Sequence, residues 1–128
     1  MFIRFVVNEI CKDSQKRTGV FDVIYRLIDE NKLLIEEEQR MKVILEWFSK
    51  NLQKPDSFSR SSRNNPVDKA ISWFKDSANE HILKIREIIS VLETHGIHVE
   101  MIKTERPGYI VYEDEFQVAA EPFHETRA

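Results

Sequence analysis

The chain reads as an α+β domain: apolar residues alternate at period two near both ends and recur at helical spacing through the middle, so strands and helices are segregated along the sequence. The predicted order is an N-terminal strand, a helical hairpin, a long third helix in one piece or two, and a C-terminal three-stranded meander. The helices are expected on one face of an antiparallel or mixed sheet. Residues 1–128 form a single domain on this reading, because 128 residues with 41% apolar and 32% charged side chains suit one hydrophobic core.

The first strand is predicted over residues 2 to 7, with Ile3, Phe5 and Val7 on one face and Phe2, Arg4 and Val6 on the other. This apolar run is too short and too interrupted for a signal peptide or a membrane span. Residues 9 to 18 are polar and charged. After Thr18-Gly19, the residues Val20, Val23, Ile24, Leu27 and Ile28 lie on one face of a helix that ends near Asn31. A second helix opens with Glu36-Glu37-Glu38, where the macrodipole favours acids, and carries an apolar stripe of Met41, Ile44, Leu45, Phe48 and Leu52, widened by Val43 and Trp47. The two helices should pack antiparallel.

Residues 53 to 66 carry Pro, Ser and Asn punctuation and only Phe58 as a buriable side chain, so they form the long loop where a binding surface is expected. A third helical region starts at Asn65-Pro66, with Asn65 as N-cap and Pro66 at the first helical position. Ile71, Phe74, Ala78, Ile82, Ile85, Ile89 and Leu92 keep helical spacing to Gly96, the expected left-handed terminator. Ser77-Ala78-Asn79-Glu80 has the pattern of a capping box, which favours a break near Asp76. The three closing strands fall at 97–103, 109–112 and 116–120. In the first of them Ile97, Val99 and Met101 oppose His98, Glu100 and Ile102. Arg106-Pro107-Gly108-Tyr109 suits a type II turn, and Glu113-Asp114-Glu115 closes the last hairpin as a solvated tip.

The stretch from Arg106 to Val118, with Ile71-Ser72-Trp73-Phe74-Lys75-Asp76 and Trp47-Phe48 upstream, resembles a group of small bacterial proteins across nearly the whole chain. The resemblance implies no activity and transfers no site residue.

Charge narrows the choice of function. With 19 basic and 22 acidic side chains the formal net charge is −3, so the whole-surface positive footprint of a nucleic-acid binder is absent and any anion site must come from local clustering. The single Cys11 leaves no intramolecular disulfide and no thiolate metal pair, which fits a reducing cytoplasm. His95 and His98 flank a helix end and so share no fixed direction, and no metal site is predicted. Glu100 and Lys103 stand an odd number of positions apart on a strand, which separates them for nuclease-type chemistry. Gly19, Gly96 and Gly108 are the only glycines, so there is no phosphate-cradling loop, no nucleophile elbow, and no cofactor is expected.

The strongest positive signal is a pair of basic loops leading into predicted helix starts, Lys16-Arg17-Thr18-Gly19 and Arg60-Ser61-Ser62-Arg63-Asn64-Asn65. Guanidinium groups beside exposed helix N–H groups are the ingredients of a phosphate or carboxylate site. The competing reading is solvated loop charge. The candidate ligand-binding residues are Arg17, Arg60, Arg63 and Arg106, with Trp73 and Lys75 added as an aromatic and cationic pair that could stack on a base. Packing into a core competes for Trp73.

The first function class is thus a non-catalytic binding protein for an anionic small molecule or nucleotide. The second is a protein-interaction module, such as a homodimer or an immunity or antitoxin-type partner, using the acidic hairpin tip or a sheet edge. The third is an enzyme without a recognisable motif, which would need two or more of Arg17, Arg60, Arg63, Lys75, His81 and Arg106 to converge in a pocket.

Overall fold

A computed structural model describes residues 1–10, 17–53 and 70–123. In chain order the elements are β1 (Phe2–Ile10), β2 (Arg17–Gly19), α1 (Val20–Asp29), α2 (Ile35–Asn51), β3 (Ile71–Lys75), α3 (Asn79–Thr94), β4 (Glu100–Thr104), β5 (Tyr109–Glu113) and β6 (Gln117–Glu121). The six strands make one sheet, every pairing antiparallel, with the helices packed on one face, an α+β arrangement.

The alternation in β1 sorts two cores. Ile3, Phe5 and Val7 join Phe74 and the apolar faces of all three described helices, including Val23 and Ile24 of α1, Met41 and Phe48 of α2, and Ile85, Ile88 and Leu92 of α3. Val6 points the other way, into a second cluster with Ile71, Trp73, Ile102 and Val118, rimmed by Phe2 and Ile110. Phe21 meets Phe48 edge-on at 5.0 Å, which sets the start of α1 against the end of α2 as an antiparallel hairpin requires. α2 and α3 are also antiparallel, tied by Glu37–His95 at one end and by Trp47 against His81 at the other. Val43, expected to widen the buried stripe, is instead 68% exposed on the outer side of α2.

Two sequence expectations are corrected. The segment 71–75 is a strand rather than the first half of a helix. It runs between β1 and β6, so Ile71 and Trp73 bury on one face and Phe74 on the other. A strand covered on both faces loses its alternation, and its apolar residues then fall by accident at helical intervals from those of the following helix. The break near Asp76 is real: Asp76 and Ser77 form a turn, and the Asp76 N–H donates to the Met1 carbonyl at 3.2 Å. The cap of α3 is Ala78 with no side-chain hydrogen bond, so Ser77 does not close a capping box. The expected start at Asn65-Pro66 lies outside the described residues.

The second correction concerns the meander. β5 and β6 form a hairpin, but β4 pairs with β1 along Phe2–Val6 and not with β5. β4 occupies one flank of β1, so β2 and β3, which pair with β1 at Val6 and Phe2 respectively, share the other flank end to end. The order across the sheet is therefore β4-β1-β3-β6-β5, with β2 beside the far end of β1.

That order makes the link from Thr104 to Tyr109 connect the two outer strands. In a flat sheet it would cross four strand spacings of about 4.8 Å and climb about 16 Å along the strands, roughly 25 Å in all. Five residue steps reach at most about 18 Å. The sheet must therefore curl, and the near-complete burial of Val6, Trp73 and Val118 on the helix-free face shows that it curls toward that face. Pro107, in the link, is buried. Gly108 has φ +139, and a Cβ there would lie 2.2 Å from the carbonyl oxygen of Glu121, so this glycine serves close backbone approach rather than the φ of a type II turn. Gly96, at φ +79, ends α3 as its sequence position implied.

Candidate functional site

The pairing of β1 with β2 brings two arginines together on the helix-free face. Arg4 and Val6 alternate onto that face, and β2 brings Gly19 opposite Val6 and Arg17 opposite Ile10, with a bulge between the two pairs. The Arg4 guanidinium donates through Nη2 to the Arg17 carbonyl at 2.6 Å, joining residues 13 apart in sequence. Arg17 in turn directs Nη1 to Oε2 of Glu100 at 2.5 Å. Glu100 also stands opposite Val6, but on β4. The Arg17 side chain therefore reaches across β1 to find its acid. Gly19 ends β2 and serves as N-cap of α1 with no side-chain cap, and its missing Cβ would lie 3.9 Å from Arg4 Nη2. Two guanidinium groups, one carboxylate and a helix start thus share this patch.

The other predicted residues are distributed differently. Lys75 pairs with Glu113 at 2.7 Å. Its strand neighbour is Phe2, so it stands at the opposite end of β1 from Arg17, about 26 Å away along the strand. Trp73 is a core residue, fully buried against Val6, Ile71, Ile102 and Val118. Its Nε1–H has no hydrogen-bond partner among the described residues. Arg106 lies over the Phe123 ring, 5.3 Å from its centroid, and its backbone N–H donates to Thr104 Oγ1 at 3.1 Å. Arg60 and Arg63 fall outside the described residues, as does Lys16. Arg17, Lys75, His81 and Arg106, four of the residues an enzyme would have to bring together, each engage a different partner.

A second polar cluster was not anticipated as a unit. His81 is buried in the first turn of α3, boxed by Trp47, Phe48, Phe74 and Phe116, whose ring centroids lie 4.3 to 6.3 Å from its own. Its Nε2 lies 2.8 Å from the carbonyl of Asn51 and donates to it, taking up an acceptor that the end of α2 leaves unpaired. Beside it, the Asp114 carboxylate accepts from the Phe116 and Gln117 N–H groups, the Tyr112 hydroxyl and Gln117 Nε2, at 2.8 to 3.1 Å. Gln117 Nε2 also donates to the Gln53 carbonyl.

Burial alone would raise the Asp114 pKa, but these donors outweigh it and hold the carboxyl below the usual aspartate range. Burial, together with the same contact to Asp114, pushes the Tyr112 phenol up. Asp114 is therefore a structural acceptor that shapes the hairpin and not the solvated tip expected from Glu113-Asp114-Glu115. The available signal was Asp three residues before Gln117, a spacing that lets a side-chain oxygen cap a turn. Both clusters act chemically through hydrogen bonds and charge. The Asp114 group fastens the exit of α2 to the hairpin, whereas the Arg17 group presents a guanidinium fork already holding an oxyanion.

Among the described residues, no three His, Cys, Asp or Glu side chains gather as metal ligands would. His95 bonds Glu37 Oε1 at 2.7 Å, and His98 is exposed. No helix among the described residues is long and apolar enough to cross a membrane. No protein-family model, curated protein or solved structure matches the chain.

Proposed function

We propose that the chain is a non-catalytic binding protein for an anionic small molecule, a phosphate-bearing one such as a nucleotide, and that Arg17 takes the anion with Arg4 beside it. The observation that carries this reading is the Arg17–Glu100 contact: the guanidinium already holds a carboxylate oxygen at 2.5 Å, on the patch where α1 begins. A planar guanidinium fits carboxylate and phosphate oxygens equally well, and neighbouring helix N–H groups favour negative charge. Lys75, about 26 Å from Arg17 along β1, stands outside this site, and Trp73 belongs to the core.

The test is thermal stability at low salt against phosphate, sulfate and mono-, di- and cyclic nucleotides. A ligand that prefers the folded state at a concentration 100 times its Kd adds about 2.7 kcal/mol. A saturable shift lost in Arg17→Ala supports the reading, and a flat panel overturns it. A second reading, an interaction module, is favoured by the sheet edges. Among the described residues β4 and β5 each pair along one flank only, and Met101 and Tyr109 are exposed there. Sedimentation at micromolar concentration would show a dimer if that edge serves a second copy.

A further inference from the structure

We infer that Glu100 is an internal competitor for the anion site, occupying Arg17 until a ligand displaces it; this rests on the reading of Arg17 as the anion-binding group. Strand register does not dictate the contact. Arg17 lies opposite Ile10, while Glu100 lies opposite Val6 on the other flank of β1. A side chain placed only for solubility has no need to extend across a neighbouring strand to reach an acid.

The two partners are unequally exposed. The Arg17 side chain is 20% accessible and the Glu100 side chain 44%, so the acid is the outer member. Arg4 donates to the Arg17 carbonyl at 2.6 Å, which favours keeping Arg17 in place when the more exposed carboxylate swings out. A half-exposed ion pair is weak, so the competitor lowers affinity without abolishing it. An incoming phosphate can offer the fork two oxygens at once. The chemistry selected is a compact oxyanion, a phosphate ester or carboxylate, able to replace a glutamate side chain.

The experiment is a titration of wild type, Glu100→Gln and Arg17→Ala with inorganic phosphate at low salt, read by calorimetry and by thermal shift. Glu100→Gln keeps the shape and an acceptor oxygen but removes the competing charge. It should bind phosphate more tightly than wild type by up to about fivefold, the measure of a surface ion pair. Arg17→Ala should show no binding. Equal affinity of wild type and Glu100→Gln would overturn the competitor role while leaving the anion reading standing. Binding by neither protein would overturn both. If Glu100→Gln proves unstable, Glu100→Thr, a residue suited to a strand, is judged by the same outcomes.

Discussion

Replacing Gly108 by Ala tests the curl of the sheet, on which the helix-free core depends. An added Cβ would stand 2.2 Å from the Glu121 carbonyl oxygen, 2.8 Å from its carbon and 2.9 Å from Pro122 Cα. All three are backbone atoms and cannot swing aside. Restoring ordinary contact requires the link and the end of β6 to part by more than about 1 Å, an overpacking cost of about 1–3 kcal/mol. The φ of +139 adds about 1–3 kcal/mol for any residue with a side chain. The expected loss is therefore about 2–6 kcal/mol, a large part of the 5–15 kcal/mol typical of a domain. Gly96→Ala is the matched control. Its φ is +79 and nothing lies within 4 Å of the added methyl, so only conformational strain of about 1–2 kcal/mol applies. Urea unfolding of both variants, with midpoints compared at unchanged m, isolates the steric part. A Gly108→Ala loss within about 1 kcal/mol of the Gly96→Ala loss would refute the close packing of link against β6.

Two further predictions concern polar contacts. Asp114→Ala removes the acceptor of four hydrogen bonds and should cost about 2–3 kcal/mol in chemical denaturation. Because the folded Asp114 carboxyl titrates below its unfolded value, its contribution is complete above the ordinary aspartate range and is lost as pH falls through the lowered value. Wild type should thus lose stability below about pH 4, and the Asp114→Ala profile should be flatter there; parallel profiles would remove Asp114 from the account. Glu37 accepts from His95 and from the Leu34 N–H at the start of α2, and these contacts hold its carboxyl below the usual range. Glu37→Ala should lower the midpoint of a thermal melt, and Glu37→Gln, which keeps an acceptor for the Leu34 N–H, should lower it by less.

Much of the fold was legible because it depends on local periodicity. The two faces of β1, the buried stripe of α2 and the Gly96 terminator follow from residue spacing and from the φ that glycine tolerates. β3 was not legible as a strand, because burial on both faces erased the alternation that announces one. β2 was missed since its three residues, Arg17, Thr18 and Gly19, carry no apolar pattern and are strand only through pairing with β1. Of the proposed site residues, Arg17 stands out in the sequence through its basic loop. Its partners Arg4 and Glu100 are 13 and 83 residues away in sequence, and no spacing rule connects them.

Composition and periodicity by themselves determined the α+β class, the strand and helix faces, and the absence of cysteine pairs and glycine-rich phosphate loops. Tertiary structure decided which strands are neighbours, that β4 leaves β5 for β1, and that the sheet curls over Trp73. It also separated Lys75 from Arg17 and gave each its own acid. The reason is physical: a side chain's face is set by φ and ψ within a few residues, whereas its strand neighbours are set by which distant surfaces bury the most apolar area.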